Sequence, residues 1–209
     1  MGIRERKERE RERRRQQIMV AAKRVFAEKG FNKATMEDIA KEAELSPGTL
    51  YLYFKNKDEL YASLSLRILQ YLLMRLEHVN RTTSEPSQNR IHALMDAMYD
   101  VYEFDPLILI NMFHLQSSDA LKNLTPNLLN EIQNLSRSSL EAMAKLFESG
   151  VKEGVYIDRR PLAIADITWA LFSGVVLWET SKKIIGNDDN DLRNTLEMAF
   201  EILARGIAK

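Results

Sequence analysis

Apolar residues recur at helical spacing along most of the chain, and glycine or proline marks the end of many of these patterns. The first pattern, residues 18–26, is followed by Gly30, which is typical of a helix C-cap. A long pattern opens with the capping pair Asn56 and Glu59 and continues to about Val79. Further helical patterns lie at about 90–103, 106–118, 126–153, 161–185 and 190–208. No strand-like alternation or internal repeat accompanies them, so the sequence predicts an all-α protein of about nine helices.

Two short helical patterns lie between the first pattern and the long one, in residues 35–60, TMEDIAKEAELSPGTLYLYFKNKDEL. Thr35 is the candidate N-cap of the first short helix. Ser46 and Pro47 open the second as its N-cap and its first helical residue. The inward-facing residues of the two helices are Met36, Ile39, Ala40, Ala43, Leu50 and Phe54. Because only a tight turn separates them, the pair predicts a helix-turn-helix whose second helix can enter a major groove.

The second short helix is predicted to present an uncharged surface. Gly48, Thr49 and Leu52 face outward and Tyr51 lies at the flank, where a solvated helix usually carries lysine or glutamate. Thr49 can hydrogen-bond a base edge and Leu52 can contact a thymine methyl group, while tyrosine hydroxyls and lysines suit phosphates. The predicted DNA-binding residues are Thr35, Ser46, Pro47, Gly48, Thr49, Tyr51, Leu52, Tyr53, Lys55 and Lys57. The alternative is an ordinary helical corner of an all-α protein.

The same residues carry a resemblance to a known family. Thr35, Ile39-Ala40, Pro47-Gly48-Thr49, Tyr51, Tyr53-Phe54, Lys57 and Leu60 stand in an order that resembles the DNA-binding signature of the tetracycline-repressor (TetR) family of bacterial regulators. The match covers about the first sixty residues, and beyond them the likeness is only in size and helical layout. The resemblance implies an N-terminal three-helix DNA-binding domain and a C-terminal helical domain that binds a ligand and dimerises.

Length and composition fit such a two-domain protein. The 209 residues, of which 45% are hydrophobic, suffice for one small and one larger domain, predicted at 1–57, with a basic arm at 1–15, and at 58–209. The absence of cysteine excludes disulfides and thiolate chemistry. The charged N-terminus shows no secretory signal, and apolar runs stop at about four residues, so we expect a cytoplasmic protein with no membrane partner.

The net charge of zero conceals a separation of charge along the chain. Residues 1–57 hold 15 basic and 9 acidic residues, a net +6, and the remainder holds 15 basic and 21 acidic residues, a net −6. The basic half is therefore the predicted DNA-binding half. Residues 4–15, RERKERERERRR, contribute +4 of this charge. They are either a solvated tail or a basic arm that contacts the DNA backbone or minor groove, and the sequence leaves both open.

The sequence offers no residues for catalysis, a metal or a cofactor. His78, His92 and His114 lie on different predicted helices without ligand partners at metal-binding spacing. The sequence contains no nucleophile elbow, phosphate-binding loop or dinucleotide fingerprint. We therefore predict that the protein is not an enzyme.

The predicted C-terminal domain is rich in methionine and aromatic residues. Such residues are usually core, but together they suggest an adaptable cavity for a lipophilic ligand, and the family resemblance supports this. The predicted effector-binding residues are Met74, Met98, Tyr102, Met112, Phe113, His114, Trp169 and Phe172. No arginine cluster is evident in this region of the sequence, which favours a neutral or singly charged effector of fatty-acyl, aromatic or drug type.

The last two predicted helices carry apolar stripes typical of a subunit interface. The stripe at residues 164–178 includes Ala170 and Gly174, which permit close approach, and a second stripe follows at residues 192–203. Two such helices from each subunit would form a four-helix bundle, although packing within the chain gives the same pattern. The predicted dimer residues are Ile167, Leu171, Gly174, Val175, Trp178, Leu196, Phe200 and Leu203.

These features together predict a ligand-responsive repressor that binds a palindromic double-stranded DNA operator as a homodimer and is released by a small lipophilic molecule. One alternative is a helical small-molecule-binding protein or enzyme without DNA function. Another is a TetR-like regulator of opposite logic, either an activator or a protein that needs its ligand as a corepressor.

Overall fold

The computed structural model describes residues 2–82, 87–116, 119–185 and 191–209. Within these ranges the chain forms nine α-helices, one short 3₁₀ helix and no strand beyond an isolated bridge between Tyr156 and Ala208, so the predicted all-α fold is confirmed. The helices are α1 Ile3–Lys33, α2 Met36–Glu42, α3 Pro47–Tyr51, α4 Lys57–Thr82, α5 Ser87–Phe104, α6 Pro106–Gln116, α7 Pro126–Lys152, α8 Pro161–Ile184 and α9 Leu192–Ile207. The 3₁₀ helix is Asp119–Asn123. Residues 117, 118 and 190 of the predicted helical ranges lie outside the described residues.

The chain divides into two compact units. The N-terminal unit comprises Met1–Leu66 together with Leu115–Asn130, and the C-terminal unit comprises Arg67–His114 and Glu131–Lys209. The first division falls inside α4, and a segment distant in sequence joins the N-terminal unit. The predicted boundary between a DNA-binding domain and an effector-binding domain, after residue 57, stays a prediction, because these structural units do not show which residues bind DNA or an effector.

Local capping fixes the helices at the start of the N-terminal unit. Gly30 interrupts α1 with a φ of +73°, a conformation that favours glycine. The Thr35 hydroxyl accepts a hydrogen bond from the Asp38 amide at 3.1 Å, and the Asp38 carboxylate accepts one from the Thr35 amide at 3.1 Å. The Lys29 ammonium, 2.6 Å from the same carboxylate, is the main reason why the pKa of Asp38 is lowered. The predicted start of α2 is thereby confirmed.

The core of the N-terminal unit joins α1 to the two short helices and to the beginning of α4. Its fully buried side chains include Ile18, Ala22, Phe26, Ile39, Leu50, Phe54, Leu60 and Tyr61. Phe26 and Tyr61 are in edge-to-face contact, with 5.1 Å between ring centroids. This core holds α2 against α1 and α3 against α2, and the outer surface of α3 faces solvent.

In the C-terminal unit, α9 packs against both α5 and α8. Between α8 and α9, the buried carboxylate of Glu179 accepts hydrogen bonds from Lys182 Nζ at 2.7 Å and Thr195 Oγ1 at 2.8 Å. Gly150 in α7 lies against the buried ring of Tyr156, since a Cβ placed there would stand 2.3 Å from two of its ring atoms. These contacts belong to the core of the C-terminal unit.

Candidate functional site

The helix-turn-helix centres on α3, which is short but fixed at both ends. Ser46 Oγ accepts a hydrogen bond from the Thr49 amide at 3.1 Å and lies 2.9 Å from Thr49 Oγ1, which confirms Ser46 as the N-cap. Leu50 and, just beyond the helix, Phe54 are completely buried. With these two residues anchored in the core, the rotation of α3 about its axis is determined.

The opposite side of α3 is exposed and carries no charge. Leu52 is 76% exposed and Tyr51 48% exposed, and Ser46, Pro47 and Gly48 also face solvent. A Cβ added at Gly48 would meet only Ser46 Oγ, at 3.9 Å, so internal packing does not require glycine there. We call the exposed residues Ser46, Pro47, Gly48, Tyr51 and Leu52 the recognition face.

The remaining predicted DNA-binding residues surround this face with different degrees of exposure. Thr35 and Lys55 are exposed, and Thr49 and Tyr53 are half-buried. The Thr49 hydroxyl is occupied by its contact with Ser46, so it is less available to a base edge than the helical wheel predicts. The structure places all of these residues in the N-terminal unit, but their contact with DNA stays a prediction.

The ammonium group of Lys57, predicted to contact a phosphate, is hydrogen-bonded within the N-terminal unit. Its Nζ donates hydrogen bonds to the main-chain carbonyls of Phe31 at 2.7 Å, Ala34 at 2.9 Å and, more weakly, Asn32 at 3.4 Å. It also lies 4.5 Å from the centroid of the Phe31 ring. The end of α1 therefore supplies acceptors for all three ammonium protons, and contact of Lys57 with a phosphate stays a prediction. Lys57 thereby ties the start of α4 to the end of α1.

A hydrogen-bonded cluster at the start of α4 was not predicted from sequence. The Glu59 carboxylate accepts hydrogen bonds from the Lys55 amide at 2.6 Å and from Thr125 Oγ1 at 3.0 Å. Asn123 Nδ2 donates to Asp58 Oδ2 at 3.1 Å. We call Glu59, Asp58, Asn123 and Thr125 the α4 cluster. Only the local part, in which the Asn56 side chain caps the Glu59 amide at 2.7 Å, had a sequence signal.

The predicted effector residues are partly assembled in the C-terminal unit. Phe113, Trp169 and Phe172 contact one another, with ring centroids 5.6, 5.9 and 6.1 Å apart. Met98 and Met112 are buried. We call these five residues the aromatic–methionine cluster, in which the three rings contact one another and the two methionines are buried in the same unit.

The other three predicted effector residues lie outside this cluster. Tyr102 is half-buried, and burial is the first cause that raises its pKa, so its phenol stays neutral near neutral pH. Met74 is 50% exposed, so part of its side chain faces solvent, and its contact with an effector stays a prediction. His114 lies on α6, and its side chain is outside the part of the chain that the structure describes.

A groove of about 430 Å³ opens elsewhere on the C-terminal unit, between α4 and α7. It is lined by Leu73, Glu77, Asn80, Arg81, Ser138, Glu141, Ala142 and Lys145. No predicted effector residue lines this groove. Its mixture of acidic, basic and amide groups differs from the apolar surface predicted for the effector.

The predicted dimer residues separate into exposed and buried groups. On α8, Ile167 and Trp178 are each 59% exposed, Gly174 is exposed, and Leu171 and Val175 are half-buried. By length and composition alone, residues Pro161–Lys182 of α8 are apolar enough to cross a membrane, and 28% of the apolar window is buried in the chain.

On α9 the prediction is partly wrong. Leu196 and Phe200 are completely buried, because their stripe forms the core against α5 and α8, and Leu203 is half-buried. The apolar residues that α9 exposes are instead Met198, at 63%, and Ile202, at 65%. The sequence pattern that could have predicted these two residues is their spacing of four on an otherwise polar face of α9.

Comparison with known proteins agrees with this fold and with the position of the helix-turn-helix. Residues 18–64 match the family model described as bacterial regulatory proteins, tetR family. A helix-turn-helix transcriptional regulator of Haemophilus influenzae is 31% identical over 115 residues, which are 55% of this chain and 61% of the relative. The match thus spans less than two thirds of that relative's length.

Two solved structures share the fold over almost the whole chain. The TetR-family transcriptional regulator PfmR of Thermus thermophilus has a TM-score of 0.71 at 20% identity, covering 92% of this chain and 99% of its own. The transcriptional regulator FadR of Bacillus subtilis, solved in complex with stearoyl-CoA, has a TM-score of 0.70 at 20% identity, covering 92% and 98%. The helix-turn-helix segment of the chain thus matches the tetR family of bacterial regulatory proteins, and the chain shares the fold of TetR-family transcriptional regulators.

Proposed function

We propose that this protein is a cytoplasmic transcriptional repressor that binds a palindromic DNA operator as a homodimer and is released by a lipophilic small molecule. The recognition face is the observation that carries the proposal. It places an exposed leucine, a tyrosine and a glycine not required by packing on a helix whose orientation is fixed by the core. Such a surface suits close approach to base edges in a major groove.

The exposed apolar stripe of α8 supports the homodimer. Ile167, Gly174 and Trp178 recur at spacings of seven and four residues and lie on one side of the helix. We call these three residues, together with the exposed Met198 and Ile202 of α9, the dimer face. A second copy is a better partner for this face than a membrane, because the other side of α8 packs in the unit's core and holds the Glu179–Lys182 ion pair.

The aromatic–methionine cluster supports a lipophilic effector. Methionines adapt to varied shapes, and aromatic rings supply large contact areas. The fold shared with the FadR of Bacillus subtilis, which was solved with stearoyl-CoA, favours the fatty-acyl members of the predicted effector class.

A mobility-shift assay with the promoter upstream of its own gene tests the proposed function. The repressor should retard this DNA in the presence of excess unrelated competitor, and the complex should weaken steeply as salt rises. A helical binding protein or enzyme without DNA function would show no preference over the competitor, and this result would reject the proposal.

The first prediction concerns sequence choice by the recognition face. Leu52→Ala should relax the preference at one or two operator positions by about 1–3 kcal/mol per base pair, because Leu52 is the most exposed side chain of the face. Thr49→Ala should have a smaller effect, since its hydroxyl is engaged by Ser46. Selection from random operators measures both, with Val20→Ala on α1 as a control that also trims an exposed apolar residue. An unchanged operator for Leu52→Ala would remove α3 from base recognition.

A second prediction concerns the effector. Trp169 and Trp178 are the only tryptophans, so Trp178→Phe leaves a single fluorophore in the aromatic–methionine cluster. Titration with a fatty-acyl compound should change its emission and also release operator DNA, because coupling between two binding sites is reciprocal. Met98→Ala and Met112→Ala should weaken binding. If only small polar metabolites bind, and neither substitution changes their affinity, the cluster is part of the hydrophobic core and does not bind an effector.

The α4 cluster offers a route by which the effector signal reaches the recognition helix. Thr125 lies immediately before α7, most of which belongs to the C-terminal unit, and it contacts the carboxylate that also holds the Lys55 amide. In the effector titration, Thr125→Val should leave the Trp169 signal intact but reduce DNA release. Thr125→Ser, which keeps the hydroxyl, is the matched control.

A further inference from the structure

The groove between α4 and α7 carries both signs of charge on each of its walls. Glu77 and Arg81 lie one turn apart on α4, and Glu141 and Lys145 lie one turn apart on α7. All four side chains are exposed. Because two are acidic and two are basic, the groove is neutral as a whole but charged on both walls.

These four charged groups are unpaired. A glutamate followed by a base four residues later is the spacing that favours a pair along a helix. Even so, none of the four forms a salt bridge or a side-chain hydrogen bond within the described ranges of the chain. Their charges therefore remain available to a bound molecule.

A fixed amide and two apolar residues complete the groove. Asn80 Nδ2 donates both of its protons to main-chain carbonyls, to that of Leu76 at 3.1 Å and to that of Ala142 at 2.8 Å. The amide orientation is thus set, and Asn80 Oδ1, which can only accept, is left for a donor from a ligand. Leu73 is half-buried and Ala142 is buried, and both add apolar surface to the same groove.

We propose that this groove binds a small zwitterion, namely a free α-amino acid with an apolar side chain. The Arg81 guanidinium suits the carboxylate, because its planar fork can donate two parallel hydrogen bonds. The glutamate carboxylates of the two walls and Asn80 Oδ1 are acceptors for the ammonium group. Leu73 and Ala142 supply contact for the apolar side chain. The volume of about 430 Å³ lies in the range of small-molecule sites.

The distribution of charge favours a zwitterion over ligands of a single sign. A polyamine would bring cations to Arg81 and Lys145, and an organic anion would meet Glu77 and Glu141, so either ligand would face like charges. A zwitterion offers a counterpart to both signs. No residue predicted for the lipophilic effector lines the groove, so this is a second site, and it does not rest on the proposed function.

Calorimetric titration of the wild-type protein with leucine, without DNA, tests the inference. Three further probes separate the charges: N-acetylleucine lacks the ammonium group, leucinol lacks the carboxylate, and putrescine carries positive charge only. Leucine should bind once per chain, and each of the other probes should bind about tenfold or more weakly, because each leaves a charged group of the groove without its partner. This comparison needs only the wild-type protein, so it does not depend on the folding of any variant.

Two variants with matched controls locate the site. Arg81→Gln and Glu141→Gln should each weaken leucine binding by about tenfold or more, since each removes one charged partner of the zwitterion. Arg67→Gln and Glu131→Gln remove the same kinds of charge from exposed positions on the same two helices, outside the groove. These controls should bind leucine as the wild type does, and circular dichroism checks that all four variants are folded.

Three results would overturn the inference. The first is no leucine binding by the wild-type protein up to about 10 mM, beyond the weak end of specific affinities. The second is a probe that binds as tightly as leucine. The third is a pair of groove variants that bind leucine like their controls. Each of these results leaves the proposed function standing, because none of the measurements involves DNA.

Discussion

Gly174→Glu is expected to leave each protomer folded and to convert the dimer into a monomer. A Cβ added at Gly174 meets nothing within 4 Å in the chain, so the substitution is tolerated inside one protomer. In the dimer face, however, it would place a charge in a desolvated apolar contact, which is costly without a partner. Because a monomer engages only one half-site, operator affinity should fall by about 10²–10⁴-fold, the usual gain from linking two sites.

Sedimentation and operator titration measure this effect, and Val20→Glu is the control. Val20 is 49% exposed on α1, so the control adds the same charge to an exposed apolar residue outside the dimer face. It should sediment as a dimer. If Gly174→Glu remains dimeric, the interface lies elsewhere than on α8.

Lys57→Met is expected to destabilise the N-terminal unit rather than to remove a phosphate contact. The methionine chain retains the length and the apolar stem but leaves three main-chain carbonyls without their charged donor. The expected loss is roughly 2–3 kcal/mol in the free energy of unfolding, by the usual contribution of hydrogen bonds to charged groups. Chemical denaturation measures it.

Lys55→Met is the matched control, two residues earlier in the chain. Lys55 is exposed, so its loss should leave stability unchanged while lowering the salt slope of DNA binding by about one. Lys57→Met could instead have the same free energy of unfolding as the wild type and a lower salt slope of DNA binding. That result would show that Lys57 contacts a phosphate and that its ammonium group leaves the carbonyls of α1 when DNA binds.

The features that sequence predicted well depend on neighbouring residues. The caps at Thr35 and Ser46, the glycine break at Gly30 and the inward positions of Leu50 and Phe54 follow from spacings of three or four residues. Such local patterns also define the family signature, so they identified the helix-turn-helix and the fold class together.

The features that sequence did not predict depend on residues distant in the chain. Lys57 follows α3 as a phosphate-binding lysine would, and only the fold shows that the end of α1 captures it. The contact of Thr125 with Glu59 joins residues 66 positions apart and has no periodic signal. Leu196 and Phe200 illustrate a third case, because an apolar stripe shows that a helix packs without showing whether the partner is the same chain.

Selection of operators from a random DNA pool by the purified wild-type protein is the most direct test of the central claim. A homodimer with α3 in the major groove should enrich a palindrome whose half-site centres are about 10–10.5 base pairs, or a multiple of this, apart. Two protomers should bind each selected duplex. Enrichment of a single unrepeated half-site, or of no sequence at all, would contradict the claim that this protein reads a palindromic operator as a dimer.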